Sequence, residues 1–304
     1  YLVRIVLVIT SSIDYTVDYL IIKYGQKVCF RRLNVDMLDK YQIEITNNEW
    51  RISTSTWSVS NKNIYSIYYR KPILPNLNIY EPQYQQMIGK DIIATLTGLI
   101  DSFTGLVLSK PCILRKSENK IFQLRANQSV GFKMPNTLIT NDTEKAINFT
   151  KNRDIIIKPI TTGKIQHNNK FEIFQTNLIE DINYDISLTP IYLQEYIYKS
   201  YEVRLTIING IFYSVKIEST NKIDWRDAKA KNKYTSIEIP TKIKNKCIQM
   251  LNQFHLSFGA FDFIVNENNE WVFLEVNPNG QWLWLEQELN LNISCEIINL
   301  LVGA

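Results

Sequence analysis

Two acidic residues sit inside the most strand-like stretches of this sequence. Gly259-Ala-Phe-Asp-Phe-Ile-Val265 and Trp271-Val-Phe-Leu-Glu-Val-Asn277 are runs of aromatic and β-branched residues, yet each carries a carboxylate in its interior, Asp262 and Glu275. Acidic side chains are disfavoured in strands and costly to bury alone, so something must compensate them. With Asn268-Asn269 as a two-residue turn, the runs form a hairpin in which Asp262 faces Glu275, their Cβ atoms roughly 4.5–5.5 Å apart. Asn277 lies two residues further on and points to the same side. Either Lys or Arg from elsewhere neutralises this pair, or a bound cation bridges it. Two carboxylates and an amide oxygen are a hard, all-oxygen set that suits Mg2+ far better than Zn2+. Mg2+ held by so few protein groups takes its other ligands from phosphates and water.

Composition narrows the field. A chain of 304 residues exceeds what one core usually organises, so two or three lobes are expected. A hydrophobic content of 45% excludes a disordered chain, and a net charge of +4 is too mild for a dedicated nucleic-acid binder. Cys29, Cys112, Cys247 and Cys295 show no Cys-x-x-Cys spacing, and His167 and His255 are the only histidines. Zinc sites and Ser-His-Asp triads therefore have no motif here, and four reduced thiols fit a cytoplasmic protein. No apolar run approaches membrane-spanning length, so no membrane partner is expected. The apolar start, residues 5–9, lacks a small-residue cleavage site and reads as a buried strand, not a signal peptide. A first residue Tyr1 points to a trimmed chain.

Residues 5–9, ending in Thr10-Ser11-Ser12, fit a central parallel strand before a helix over residues 14–24, with a second strand at 27–30. Residues 65–69 make another strand, and Tyr84, Ile88, Ile92, Leu96, Leu99 and Phe103 form one helical stripe. Residues 1–114 thus read as an N-terminal α/β lobe. Residues 115–190 read as a second lobe. Its helix is capped by Ser117 and stopped by Gly131, a strand follows Pro135, Asp142 caps the next helix, and strands cover 154–160 and 171–176. Residues 191–304 read as a third lobe. It holds a strand at 192–197, a hairpin joining 201–208 to 211–217 across Asn209-Gly210, a helix over 242–254, and the acidic hairpin.

Other polar residues stand where an element gives them no structural use. Lys158 ends the apolar run Asp154-Ile-Ile-Ile-Lys158-Pro159, an unusual place without an anionic partner. Ile160-Thr-Thr-Gly-Lys164 is either an ordinary polar turn or a loop that covers phosphates with its N–H groups. Lys120 lies in the first turn of a helix, against the dipole, which a nearby anion or plain exposure explains. Gln194-Glu195-Tyr196-Ile197 ends a strand between two lobes, where backbone groups can read an adenine edge. Glu202 and Arg204 share one strand face and either contact ribose and phosphate or pair with each other.

The order of these pieces resembles the ATP-grasp ligases. Phe30-Arg-Arg-Leu-Asn-Val-Asp36, Tyr68-Tyr-Arg70-Lys-Pro72, Asp224-Trp225-Arg226 and Phe273-Leu-Glu-Val-Asn-Pro-Asn-Gly-Gln-Trp-Leu-Trp-Leu-Glu286 narrow the resemblance. They are similar to the ribosomal peptide maturases of that fold, the graspetide synthetases that include the microviridin ligases. The resemblance implies an α+β, three-lobed ATP-grasp fold with an N-terminal α/β (pre-ATP-grasp) lobe. It implies an ATP- and Mg2+-dependent macrocyclase, often a homodimer. Such enzymes join Asp or Glu side chains of a precursor peptide, leader plus acidic core, to Ser or Thr hydroxyls or to Lys amines. By position, Lys120 and Lys158 would contact ATP phosphates, Glu195, Tyr196 and Ile197 would present backbone to adenine, and Glu202 would hold ribose. Asp262, Glu275 and Asn277 would ligate Mg2+, Arg204 would stabilise the transferring phosphoryl group, and Arg226, near Asp224, would grip the acceptor carboxylate. Lys71 departs from the commoner aromatic-Tyr-Arg-Arg form, and Lys lacks Arg's bidentate geometry. Residues 161–169, with His167, are a candidate lid, and Trp282 and Trp284 read as packing near the site. Two rivals share the fold: a RimK-type ligase of free amino acids, and a non-catalytic nucleotide-binding module of the synapsin type.

Overall fold

The computed structural model describes residues 4–161, 164–167, 170–173, 176–227 and 229–304. The chain opens with β1 (Ile5–Thr10), buried along nearly its whole length as its β-branched run requires. Asp14 caps α1 (Tyr15–Tyr24) by accepting from the Thr16 and Val17 N–H groups. β2 (Cys29–Asn34) starts two residues after the expected strand. A small antiparallel meander follows, β3 (Gln42–Ile45), β4 (Trp50–Ser53) and β5 (Ser58–Ser60). β6 (Ser66–Tyr69), α2 (Pro82–Ser102) and β7 (Leu106–Leu108) complete a parallel sheet of order β2-β1-β6-β7.

A helix the sequence reading did not foresee, α3 (Pro111–Ser117), precedes α4 (Lys120–Val130). Ser117 therefore ends one helix instead of starting the next. Asn119 is the cap, accepting from the Phe122 N–H at 3.0 Å. Pro111 at the first helical position is the signal that marks α3. Gly131 closes α4 at a φ of 74°, as expected.

β8 (Thr137–Thr140), α5 (Thr143–Thr150) and β9 (Ile155–Lys158) begin the central lobe. Among the described residues, β10 (Lys164–His167) and β11 (Lys170–Ile173) form a two-stranded sheet of their own. Of the candidate lid, residues 162, 163, 168 and 169 lie outside the described residues. β12 (Asn177–Ile179) and β13 (Ile191–Glu195) finish an antiparallel sheet of order β12-β9-β13-β8. This sheet takes in β13, so the chain leaves it only after Glu195.

The last sheet is antiparallel, of order β16-β15-β14-β17-β18. It contains β14 (Tyr201–Ile208), β15 (Ile211–Ser219) and β16 (Asn232–Ser236), then, after α6 (Thr241–Phe254), β17 (Phe258–Val265) and β18 (Trp271–Asn277). Asn209 and Gly210 both take positive φ, 49° and 79°, as a tight hairpin turn demands. Val203, Leu205, Ile207, Phe261 and Phe263 face a core shared with α6. The opposite face carries Glu202, Arg204 and Asp262, which register places side by side.

α7 (Leu283–Leu289) and α8 (Ile293–Val302) end the chain. α8 packs back onto the first lobe: Ile293, Ile297 and Leu301 share one core with Val6, Val8 and Tyr68. Glu286, only 4% exposed, ties the same two lobes. It accepts from the Tyr19 hydroxyl at 2.6 Å, the Lys23 ammonium at 2.9 Å and the Ser294 hydroxyl at 2.6 Å. Burial alone would raise its carboxyl, but Ser294, Tyr19 and Lys23 outweigh burial and hold it below the usual range. A depressed folded pKa gives stability that is present above the unfolded value and lost as pH falls through the folded one. Glu286→Gln is expected to lower the unfolding free energy by about 1–3 kcal/mol at pH 7. The difference from the parent should shrink below about pH 4. Denaturant unfolding at both pH values checks this, and an equal deficit at both contradicts the ionic tie.

Candidate active site

β17 and β18 do bring Asp262 opposite Glu275, but not through the expected turn. Val265 pairs with Trp271, so a five-residue connection replaces the two-residue one. The Asn266 side chain organises it by accepting from the Asn268 and Glu270 N–H groups at 3.0 and 2.9 Å. This loop shifts the register by one, and a bulge between Asp262 and Phe263 shifts it back, with Leu274 as the extra residue. The bulge also explains a break in alternation. Phe273 and Val276, three positions apart, both enter the core, while Glu275 and Asn277 share the other face. A regular strand would have set Phe273 beside Glu275.

Cations from four other parts of the chain surround the pair. Arg204 sits opposite Asp262 on β14, and its Nη1 donates to both Asp262 oxygens, at 2.8 and 2.7 Å. Glu202 does not pair with Arg204. It contacts the ammonium of Lys199, a residue the sequence reading missed, and burial raises its carboxyl. Lys120 donates to the Pro159 and Thr161 carbonyls at 2.8 and 3.3 Å. Lys158 donates to the buried Gln194 side chain at 2.7 Å. Burial brings the Lys158 amine down to about 8, against the pull of Glu275. Burial lowers Lys120 as well. The two carboxyls split: burial and the Glu275 charge raise Asp262, whereas Lys120, Lys158 and Arg226 overcome burial and lower Glu275.

The residues present fit a hard divalent cation. The Asn277 amide donates to Asp262 Oδ2 at 3.1 Å and to Glu275 Oε1 at 3.2 Å, bridging the two carboxylates. A flip of that amide turns its oxygen into the same gap. Among the described residues no three His, Cys, Asp or Glu side chains converge, so a cation held here would take few ligands from the protein and the rest from phosphate and water.

The remaining expected residues lie around this centre. The N–H groups of Glu195 and Tyr196 donate to the Asn136 and Asp154 carbonyls. Among the described residues, Ile197 is the one of the three whose N–H has no partner of this kind. The Glu195 carboxylate accepts from the Asn136 amide at 2.6 Å. Asp224 is buried and takes a fork from Arg226, whose Nε and Nη2 each donate at 2.9 Å. Arg226 is 55% exposed. Its loop is pinned by Trp225, which packs on Trp284 at 5.2 Å between ring centres. Trp284 also meets Tyr234, and Trp282 is fully buried, so both tryptophans are packing residues.

Residues 116–301 match the RimK-like ATP-grasp domain. The chain belongs to this family. It is an ATP-dependent ligase with the ATP-grasp fold. A RiPP-associated ATP-grasp ligase of Chryseobacterium gregarium, solved with ADP and a leader and core peptide, is 27% identical with a TM-score of 0.85, over 99% of this chain and 97% of that one. The macrocyclase MdnB of Microcystis aeruginosa is 26% identical with a TM-score of 0.81, over 99% and 100%. The macrocyclase MdnC of the same organism, bound to the precursor peptide MdnA, is 22% identical with a TM-score of 0.86, over 98% and 99%, a likeness of fold. None of the curated proteins matches the chain by sequence.

To hold a phosphate, Lys158 would have to be charged, and the phosphate would in turn raise its pKa from about 8. Binding of Mg2+–ADP should therefore take up a proton near pH 8. Affinity should fall as pH rises above that value, by up to about tenfold per unit. Calorimetry in buffers of different ionisation enthalpy reads the uptake. A pH-independent affinity between about pH 7.5 and 9.5 takes Lys158 out of the phosphate site.

Proposed function

We propose that this chain is an ATP- and Mg2+-dependent macrocyclase of a ribosomally made precursor peptide with a leader and an acidic core. The opposed Asp262 and Glu275, with Asn277 between them and Lys120 and Lys158 alongside, carry the reading. Mg2+ bound there would draw charge from the phosphates. Lys120 and Lys158 would hold those phosphates, Ile197 would meet adenine and Glu202 the ribose. An Asp or Glu carboxylate of the core attacks the γ-phosphate, and the bond to the ADP oxygen breaks. A Ser or Thr hydroxyl, or a Lys amine, then attacks the acyl carbon, inorganic phosphate leaves, and the hydroxyl or amine proton is lost to base. The favoured product is the ω-ester.

The site therefore needs no nucleophile of its own; position and charge stabilisation do the chemistry. Arg226 is suited to the acceptor carboxylate, because Asp224 fixes its Nε and Nη2 and leaves Nη1 on the exposed side. Arg204, opposite Asp262 on β14, would meet the transferring phosphoryl group once a cation takes over Asp262. The full-length likeness to a ligase solved with leader and core peptide supports a peptide partner. The reading includes work in the cytoplasm and a homodimer. Free Cys29, Cys112, Cys247 and Cys295 are compatible with the first, and exposed Ile79, Tyr80, Tyr84 and Met87 offer the second an apolar surface. Among the described residues no helix is long and apolar enough to cross a membrane.

The test uses ATP, Mg2+ and any short acidic peptide found encoded beside the gene for this chain. The precursor should lose the mass of one water per ring, with one ADP released for each. Glu275→Gln should slow ring formation by about a hundredfold. An unchanged precursor mass together with ADP release on free amino acids would instead support the RimK-type rival.

A further inference from the structure

We infer that Arg70 is a positioning residue for the cation site, acting across the lobe boundary through the loop that follows Asn277. The inference rests on the nucleotide–Mg2+ reading above. Arg70 directly follows β6 and is 1% exposed, the most deeply buried cation among the described residues. A charge at that depth is costly unless it is paired and hydrogen-bonded. Its Nε meets Asp14 at 3.0 Å, and its Nη2 donates to the Thr16 hydroxyl at 2.9 Å. Both partners belong to the capped start of α1, in the same lobe. The third partner does not: Nη2 also donates to the side-chain oxygen of Gln281. Gln281 lies four residues beyond Asn277, in the last lobe.

That short loop forms one wall of the site. The Gly280 N–H donates to the Asn277 carbonyl at 3.3 Å. A Cβ on Gly280 would lie 2.6 Å from the Ala260 Cβ and 3.0 Å from Arg204 Nη2, so the loop backbone is pressed against β17 and against Arg204. The Gln281 carbonyl is 3.5 Å from the same Nη2. The loop thus carries Asn277, which bridges both carboxylates, and backs Arg204, which holds both oxygens of Asp262. Arg70 grips its far end.

Arg70 touches neither carboxylate, so it is not a catalytic residue. It fixes the position of two groups that do touch them. The planar guanidinium suits this role, because it reaches Asp14, Thr16 and Gln281 at once, and a lysine supplies one compact charge. Outer partners of metal ligands commonly set metal affinity by ten- to a hundredfold.

The experiment measures ADP binding to the full chain while Mg2+ is varied, and thermal unfolding in parallel. Gln281→Ala removes one exposed side chain and leaves Arg70 its Asp14 and Thr16 partners. Arg70→Lys keeps the charge and loses the fork. Each should raise the Mg2+ concentration that half-saturates ADP binding by about tenfold. Lys23→Ala is the control, because it loosens the same two lobes at Glu286 without touching the loop. It should lower the melting temperature and leave the Mg2+ requirement unchanged. A parental Mg2+ requirement in Gln281→Ala overturns the inference, as does an equal shift in Lys23→Ala. A parent chain that binds ADP without any dependence on Mg2+ overturns the site reading itself and is read from the unmutated protein alone.

Discussion

Two carboxylates facing each other across neighbouring strands repel, and most of the chemistry here answers that repulsion. Asp262 and Glu275 are placed together by the backbone register of β17 and β18, not by mutual attraction. Arg204 comes from β14, Lys120 from α4, Lys158 from β9 and Arg226 from the loop before β16. Two negative charges thus give four cations from different parts of the chain a reason to converge. In the proposed reading the same cluster would serve a polyphosphate and a divalent cation, the positive groups receiving phosphate oxygens and the paired carboxylates the metal.

Register is the fragile part of this arrangement. A one-residue slip would send Glu275 to the core face and Phe273 to the site. The five-residue loop and the bulge at Leu274 each cause such a slip, and together they cancel. For this reason the opposed pair was legible in the sequence although the turn predicted to produce it does not exist. Asn209-Gly210 was legible because a tight turn needs positive φ at both positions, and α6 because its stripe has one period. The partner of Asp262 was not. Arg204 lies 58 residues away and reaches it only through the β14–β17 pairing, which no local pattern announces. Lys199 was missed for a similar reason: a lysine three residues before Glu202 looks like any surface lysine until burial closes over both. Glu195 ends β13 and Tyr196 follows it before β14 starts, yet their N–H groups serve the protein's own carbonyls. The short meander of β3–β5 escaped because its strands are brief and largely polar.

The lobes are less independent than their order in the chain suggests. The last helix completes the core of the first lobe, Glu286 collects hydrogen bonds from α1, and Arg70 holds Gln281. The stretch from Glu275 to Glu286 thus begins at the carboxylate pair and ends in a tie to the N-terminal lobe, with Trp282 and Trp284 packed between. Chemistry and architecture share one continuous segment, which accounts for its being the most distinctive run in the sequence.

What occupies the space between the two carboxylates decides whether they form a cation site. Mn2+ can replace Mg2+ and is visible by its anomalous scattering. Crystals grown with Mn2+ and ADP should show one strong anomalous peak between Asp262 and Glu275, with ligand distances of about 2.0–2.2 Å and the Asn277 oxygen turned toward it. Density for ADP without such a peak, with Arg204 still clamped on both Asp262 oxygens, would contradict a cation site there.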